Sequence, residues 1–342
     1  MKEKIAFVAI GQAGGNIGQL LEERGFHVLY LNTSEEDLAT LDKAKHKYHI
    51  TGGEGCNKDR RKAKQLVVDD YDQIAAEIDA KIKADIIFTV FASGGGTGSG
   101  AGPMLTDLLI DDGHTVGTVT VIPGLEESIK SHINAYECFS ELTKIDGLAS
   151  CFVIDNEKGG KIDLNLQFVE DFTRFIEIPE KTRNIEGNVD RAEIRETLKA
   201  HGMAVIIQTD GDSADVIRSI KDNIYAPLEQ DRAVKYLTAV LGKGAVMGDI
   251  EKETGTPVDT FQTYGEHTIL CISGLSYPQT RLDTVYKRVE DNKEVIKKNL
   301  SATHGIKLKS DVNFLSDSGH LDQKEAEHKK PLSRRDLIGK YL

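Results

Sequence analysis

Tryptophan is absent from this 342-residue chain, and proline occurs only 7 times. At about 2% against a typical ~5%, that scarcity excludes a collagen-like or proline-rich chain and leaves long stretches free to form regular elements. The four cysteines, Cys56, Cys138, Cys151 and Cys271, are scattered with no C-x-x-C pair, which excludes a disulfide framework and a structural zinc site. MKEKIAFVAI carries no signal-peptide pattern, so the expected compartment is the reducing cytoplasm. No run approaches the ~18 apolar residues of a membrane span, and no membrane partner is expected. Basic residues are outnumbered, 43 Lys and Arg against 55 Asp and Glu, and the net charge of -12 argues against a protein that coats DNA broadly.

Glycine is the residue in surplus. Of 32 glycines, 13 fall in three windows, four in 11–18, three in 52–55 and six in 94–102. Backbone must approach something closely there, and function is to be sought there. KIAFVAI (4–10) reads as a buried strand, GQAGGNIG as a glycine turn, IGQLLEERG as a helix and HVLYL (27–31) as a second strand. The grammar recurs in a helix over 60–83, strand DIIFTVF, the run SGGGTGSGAG and helix PMLTDLLIDDG, then strands VGTVTVI and CFVID around a helix near 126–144. Continuous Val/Ile/Phe strands alternating with helices predict a doubly wound parallel α/β sheet over 1–162. A long central helix over 163–180 is expected to leave it. Residues 181–303 read as a loop and a second, smaller α/β domain, and 304–342 as a C-terminal extension whose last fifteen residues carry a local charge of +4.

A glycine turn between strand and helix presents free backbone N–H groups and a positive helix end, a ready phosphate site. In 11–18 the glycines do not follow G-x-G-x-x-G, and the second strand ends at Asn32 where a dinucleotide site wants Asp or Glu. No G-x-x-x-x-G-K-[ST] occurs either, so an ordinary P-loop is excluded. In 93–102 several N–H donors and the Thr97 and Ser99 hydroxyls are expected to converge on a polyphosphate.

GGGTGSG at 94–100 resembles the signature of the tubulin/FtsZ superfamily. GQAGGNIG resembles that family's first nucleotide loop (Gly11, Gln12, Ala13, Gly14, Gly15, Asn16), Asn32-Thr33 its second, and GGEGCNKD, with Gly53, its third. The resemblance implies GTP and GDP as ligands, with Gly94, Gly95, Gly96, Thr97 and Gly98 at the phosphates and Mg2+ accompanying them. No direct metal ligand is assigned; Glu54 is a candidate indirect ligand. VIPGLEE implies Glu127 as the ribose acid, with Glu126 the alternative, and IDNEK and DLNLQFVEDF imply Asn156 and Asn165 at the guanine, whose donors and acceptors an amide can match.

GNVDRAEIRETL resembles the family's catalytic loop, with Asp190 and Glu193 as its acids and Arg191 where the family has an aromatic. In the family this loop meets the next subunit's nucleotide, which implies a homopolymer and polymerisation-coupled GTP hydrolysis. D-x-x-E is equally a capping spacing, and the two readings are compatible. NTSEEDL, the 45–64 segment and the basic tail resemble the TubZ branch, the partition tubulins of plasmids and phages. That implies DNA segregation through a DNA-bound, TubR-like adaptor met by Lys329, Lys330, Arg334, Arg335 and Lys340. A division-ring or phage-centring role and a nucleotide-binding scaffold without hydrolysis are the alternatives.

Overall fold

The computed structural model describes residues 1–301, except 183, 185, 186, 231 and 232, together with 339–341. Strands too apolar to face water on either side form its centre: β1 (Ile5–Ile10), β4 (Ile86–Ala92), β5 (Val116–Ile122) and β6 (Ser150–Asp155) are buried almost end to end. β2 (His27–Asn32) and β3 (Lys47–His49) extend the parallel sheet on one side. Helices α1 (Gly11–Glu23), α2 (Glu35–Ala39), α3 (Arg60–Lys81), α4 (Thr97–Asp111) and α5 (Ile129–Leu142) connect these strands. The order β3-β2-β1-β4-β5-β6 is doubly wound, and its topological switch lies between β1 and β4.

The apolar periodicity beginning near 163 forms α6 (Lys161–Ile176), followed at once by the short α7 (Ile178–Lys181), where Pro179 fits the first turn. Few as the aromatics are, they are concentrated here. The Phe172 ring of α6 meets Phe7, Phe88 and Phe152 from three strands at 5.6 Å each, with Phe26 and Phe168 beside them.

Beyond α6 come α8 (Arg191–Lys199), β7 (Gly202–Thr209), α9 (Ser213–Lys221), β8 (Tyr236–Leu241), α10 (Met247–Thr254), β9 (Asp259–Tyr264), β10 (Thr268–Leu275), α11 (Gln279–Asp291) and α12 (Lys293–Ser301). β7 pairs in parallel with β6 through Ser150–Gly202, so both halves share one sheet of ten strands. β10 then runs antiparallel between β7 and β8. Sequence periodicity passes over β8, α10 and β9; β9, DTFQTY, is an edge strand with one buried residue and hence little apolar signal.

The parallel strands give the sheet two unlike ends. Segments following β1, β4, β5 and β6 gather at one; α6 descends from it, and the segments preceding those strands gather at the other. Along six-residue strands the ends lie ~20 Å apart.

Candidate functional site

At the first end the loops enclose a cleft lined by Ala13, Asn16 and Ile17 of α1, by Gly94 and Gly95 after β4, by Pro123 and Glu127 after β5, and by Asn156 and Asn165 after β6. Ala92, Val121, Ser131, Lys58 and Lys161 complete it. Seven of the expected nucleotide residues therefore share one cleft: Ala13, Asn16, Gly94, Gly95, Glu127, Asn156 and Asn165. Gly11, Gln12, Gly14, Gly15, Asn32, Gly53, Gly96, Thr97 and Gly98 stand behind or beside this lining.

The glycines divide their work. The 11–18 segment is the opening of α1 itself, where Gly11 takes φ +71°. A Cβ on Gly14 would stand 2.2 Å from the Val90 carbonyl oxygen, and one on Gly98 would press on Phe91 and the carbonyls of Ala92 and Ile10. These residues let α1 and α4 start directly against the strand ends. Neither helix has a side-chain cap at its N-terminus, so first-turn N–H groups there await a ligand. The hydroxyls behave otherwise than the sequence reading expects. Thr97 Oγ1 is paired with Thr33 Oγ1 at 2.7 Å, and Ser99 Oγ donates to the Gly95 carbonyl at 2.5 Å. Short hydroxyls in a helix start find backbone and neighbouring-loop partners, leaving N–H groups for the anion. Asn32 likewise spends its amide locally, accepting from Ser34 N and donating to Asp37.

Opposite the phosphate end, Glu127 Oε1 accepts from Asn156 Nδ2 at 3.0 Å, Lys161 Nζ at 2.9 Å and Gly124 N at 3.3 Å. Burial works to raise its pKa, but the Lys161 and Asn156 hydrogen bonds hold the carboxyl below the ordinary carboxylate value. Glu126 is exposed and outside the cleft lining, so Glu127 is the acid that the geometry presents. Beneath this end lies a contact between distant parts of the chain. Arg281 of α11 grips Asp155 in a buried fork, Nε to Oδ2 at 2.7 Å and Nη2 to Oδ1 at 3.0 Å, and also donates to the Pro123 carbonyl. One arginine thus ties together the loops that carry Glu127 and Asn156.

At the phosphate end the unforeseen residue is Lys58. Asn57 and Lys58 both adopt positive φ, +42° and +59°, which turns the 52–59 loop so that Lys58 faces the signature loop. Its Nζ donates to Ser128 Oγ at 2.8 Å and Ser131 Oγ at 2.6 Å, and among the described residues it has no carboxylate partner. Asn134 fastens the arrangement by donating to the Lys58 and Gly95 carbonyls. A lysine after Gly-x-Gly-x-x reads in sequence as a failed P-loop; its positive charge beside a second glycine run is the signal that could have found it. A second cavity outside Lys58 is lined by Glu54, Gly55, Cys56, Asn57, Asp59, Lys62 and Lys130. Among the described residues no three His, Cys, Asp or Glu side chains gather into a metal cage.

Asp190 and Glu193 are not in the cleft. They form a complete capping box at the start of α8: Asp190 Oδ1 accepts from Ala192 N and Glu193 N at 2.7 and 2.9 Å, and Glu193 Oε2 accepts from Asp190 N at 2.8 Å. Neighbouring pairs fix their location. Arg191 bonds Glu180, which also holds the amino terminus, Arg195 pairs with Asp85 ahead of β4, and Ser150, first residue of β6, donates to the Thr197 carbonyl. The acids therefore sit at the opposite end of the sheet from the cleft.

Lys329, Lys330, Arg334 and Arg335 lie outside the described residues. Lys340 is described, and it is engaged: its Nζ meets Asp107 Oδ2 of α4 at 2.8 Å. Among the described residues no helix is long and apolar enough to cross a membrane.

Comparison with known proteins agrees with this geometry. The family model for the tubulin/FtsZ GTPase domain matches residues 4–162. The tubulin-like protein TubZ of Clostridium botulinum C phage is 33% identical over 306 residues, 85% of this chain and 84% of that relative. The crystal structure of Clostridium botulinum phage c-st TubZ superposes with a TM-score of 0.79 at 30% identity, covering 86% of this chain and all of that one. A GTPγS-form protofilament structure of TubZ from Bacillus thuringiensis serovar israelensis, 16% identical, shares the fold with a TM-score of 0.76 over 88% of this chain and 94% of that one.

Proposed function

Since this chain belongs to the tubulin/FtsZ family and carries its GTPase domain, we propose that it hydrolyses GTP only as a head-to-tail polymer, each subunit's Asp190 and Glu193 completing the cleft of the next. The observation that carries this reading is the placement of cleft and acid pair at opposite ends of one sheet. A translation along the strand direction brings one end onto the other, whereas no bend of a packed sheet does so within one subunit.

In the cleft, the Asn156 and Asn165 amides face guanine, Glu127 accepts from a ribose hydroxyl, and the N–H groups of 94–96 with the α1 and α4 helix starts hold the phosphates. Lys58 leaves its serine partners for the outermost phosphate, where charge spreads as the bond to the leaving oxygen breaks. Mg2+, when bound, would neutralise phosphate charge, and Glu54 and Asp59, which line the cavity beside Lys58, would be the acids to hold it, directly or through water. Glu193 of the incoming subunit orients the attacking water while Asp190 keeps its helix capped.

The cellular task that the reading implies is segregation of plasmid or phage DNA in a bacterial cytoplasm, the basic tail engaging a DNA-bound adaptor. Its electrostatic part predicts that tail-dependent binding weakens steeply between ~50 and ~200 mM salt. For the hydrolytic part, phosphate release and sedimentation are followed together across protein concentration, with GTP and a slowly hydrolysed analogue. The parent should pellet and turn over above a shared threshold, and Glu193→Gln should pellet without turnover. Equal turnover per subunit far below any assembly threshold would overturn the shared site.

A further inference from the structure

We propose that the surface between α3, α4 and α5 is a docking site for the chain's own C-terminal residues Lys340 and Tyr341, and that the end of the chain occupies it within the same subunit. Tyr341 is buried there, 7% exposed, 234 residues from its main partner. Asp107 of α4, 6% exposed, accepts from Tyr341 OH at 2.9 Å and Lys340 Nζ at 2.8 Å, its two hydrogen-bond partners among the described residues. Lys64 of α3 donates to the Tyr341 carbonyl at 3.3 Å and stands 5.2 Å from the ring centre.

Charge complementarity favours this occupant. The site's own groups are the carboxylates Asp107, Glu137 and Glu141 against the cations Arg60 and Lys64. Lys340 brings the balance to zero, and the Tyr341 hydroxyl supplies a further neutral donor. The site is also wired to the signature loop. Glu141 binds Lys64 and Arg60 at 2.6 Å each, and Arg60 Nη2 donates to the Ser99 carbonyl at 3.1 Å. Lys340 held here is withdrawn from any other partner, so its docking would compete with whatever it contributes to binding an adaptor or DNA.

The test uses the full chain and does not depend on nucleotide. Limited trypsin cleavage after Lys340 releases the Tyr341–Leu342 dipeptide, read by mass spectrometry. Asp107→Asn and Tyr341→Phe, which alter opposite sides of the contact, should each speed that release about tenfold and should not act additively when combined. In parallel, carbodiimide coupling of the Lys340 amine to the Asp107 carboxylate, 2.8 Å apart, should give an amide cross-link within single chains, found by peptide mass spectrometry in the monomer band of a denaturing gel. Unchanged release rates, or a Lys340–Asp107 cross-link found only between two chains, would overturn the proposal.

Discussion

α4 and α8 both begin after a loop, at opposite ends of the sheet, and treat their first N–H groups in opposite ways. α4 starts at Gly96 with no side-chain cap, and the nearby hydroxyls of Thr97 and Ser99 are turned elsewhere. α8 starts at Asp190 with a reciprocal box in which one carboxylate oxygen of each acid, Asp190 Oδ1 and Glu193 Oε2, helps close the helix. Leaving out a cap costs a helix roughly 1 kcal/mol, which α4 tolerates because an anion can replace it. The acids of α8 show the converse: the groups assigned to hydrolysis in the proposed polymer close their own helix within the subunit. In this pair the open start faces the cleft, where an anion can serve as the cap, and the closed one keeps its two acids in position.

The sharpest way to break the comparison is to destroy the close approach that leaves α1 uncapped. Gly14→Val would drive side-chain atoms into the Val90 carbonyl, where even a Cβ stands at 2.2 Å. The expected cost is at least ~3 kcal/mol in urea unfolding, with loss of GTP binding. Gly248→Ala in α10 is the control: nothing lies within 4 Å of its Cβ, and a small gain below ~1 kcal/mol is expected. Equal costs for the two would mean that the cleft glycines are not under steric demand.

Between the two ends α6 carries Asp171, whose Oδ1 accepts from Gln167 and from Gln208 of β7. Burial raises its pKa to about 7, against the pull of the two glutamine hydrogen bonds. Raised above the unfolded value of ~3.9, the group binds more protons folded than unfolded between those values. Its contribution is therefore complete below pH ~4 and is lost as pH rises through 7, on the order of 4 kcal/mol in all. Asp171→Asn keeps the acceptor and should remove that fall, making the variant the more stable protein at pH 8. An unaltered pH profile would show that the joint between the ends is not titrating there.

At the acid end, substitutions that preserve the cap separate the two duties of α8. Asp190→Ser retains a good N-cap, so stability should change by less than ~0.5 kcal/mol. If the Asp190 charge serves hydrolysis, turnover in the polymer falls about a hundredfold at unchanged sedimentation. If turnover follows only helix stability, Ser at 190 should leave it intact and Ala at 190 should not.

How much of this was legible beforehand follows the same division. The cleft end is written in local patterns, glycine runs directly after apolar strands, so its loops and order could be read from the chain. Asp155 with Arg281 could not, because the two meet only after 126 residues of folding and each alone is an ordinary surface-type residue. The partners of the Thr97 and Ser99 hydroxyls were not legible, since nothing local reveals that Thr33 and the Gly95 carbonyl compete for them. D-x-x-E was legible in its capping sense, which the structure displays within one subunit, while its catalytic sense belongs to the proposed polymer. Lys340 was visible as a tail cation, but its buried partner Asp107 looked like one acid among many on a helix.

Lys58 gives the finest cut at the comparison, because among the described residues its ammonium has no carboxylate partner, whereas Arg191, Arg195 and Lys4 at the closed end are paired with Glu180 and Asp85. Among the described residues it is bonded only to the hydroxyls of Ser128 and Ser131, neutral groups that give up a cation more readily than a carboxylate would. Lys58→Gln keeps a donor of similar reach and removes the charge. A charge-assisted contact to the outermost phosphate predicts about tenfold weaker binding of GTP, roughly 1.4 kcal/mol, with GDP affinity shifted far less. A merely structural lysine would weaken both nucleotides alike, because loop 52–59 packs against the signature loop whichever nucleotide is bound. Direct titration of the two nucleotides, compared as a ratio, separates these outcomes: a ratio near one assigns Lys58 to the loop, and a ratio near ten assigns it to the phosphate lost in hydrolysis.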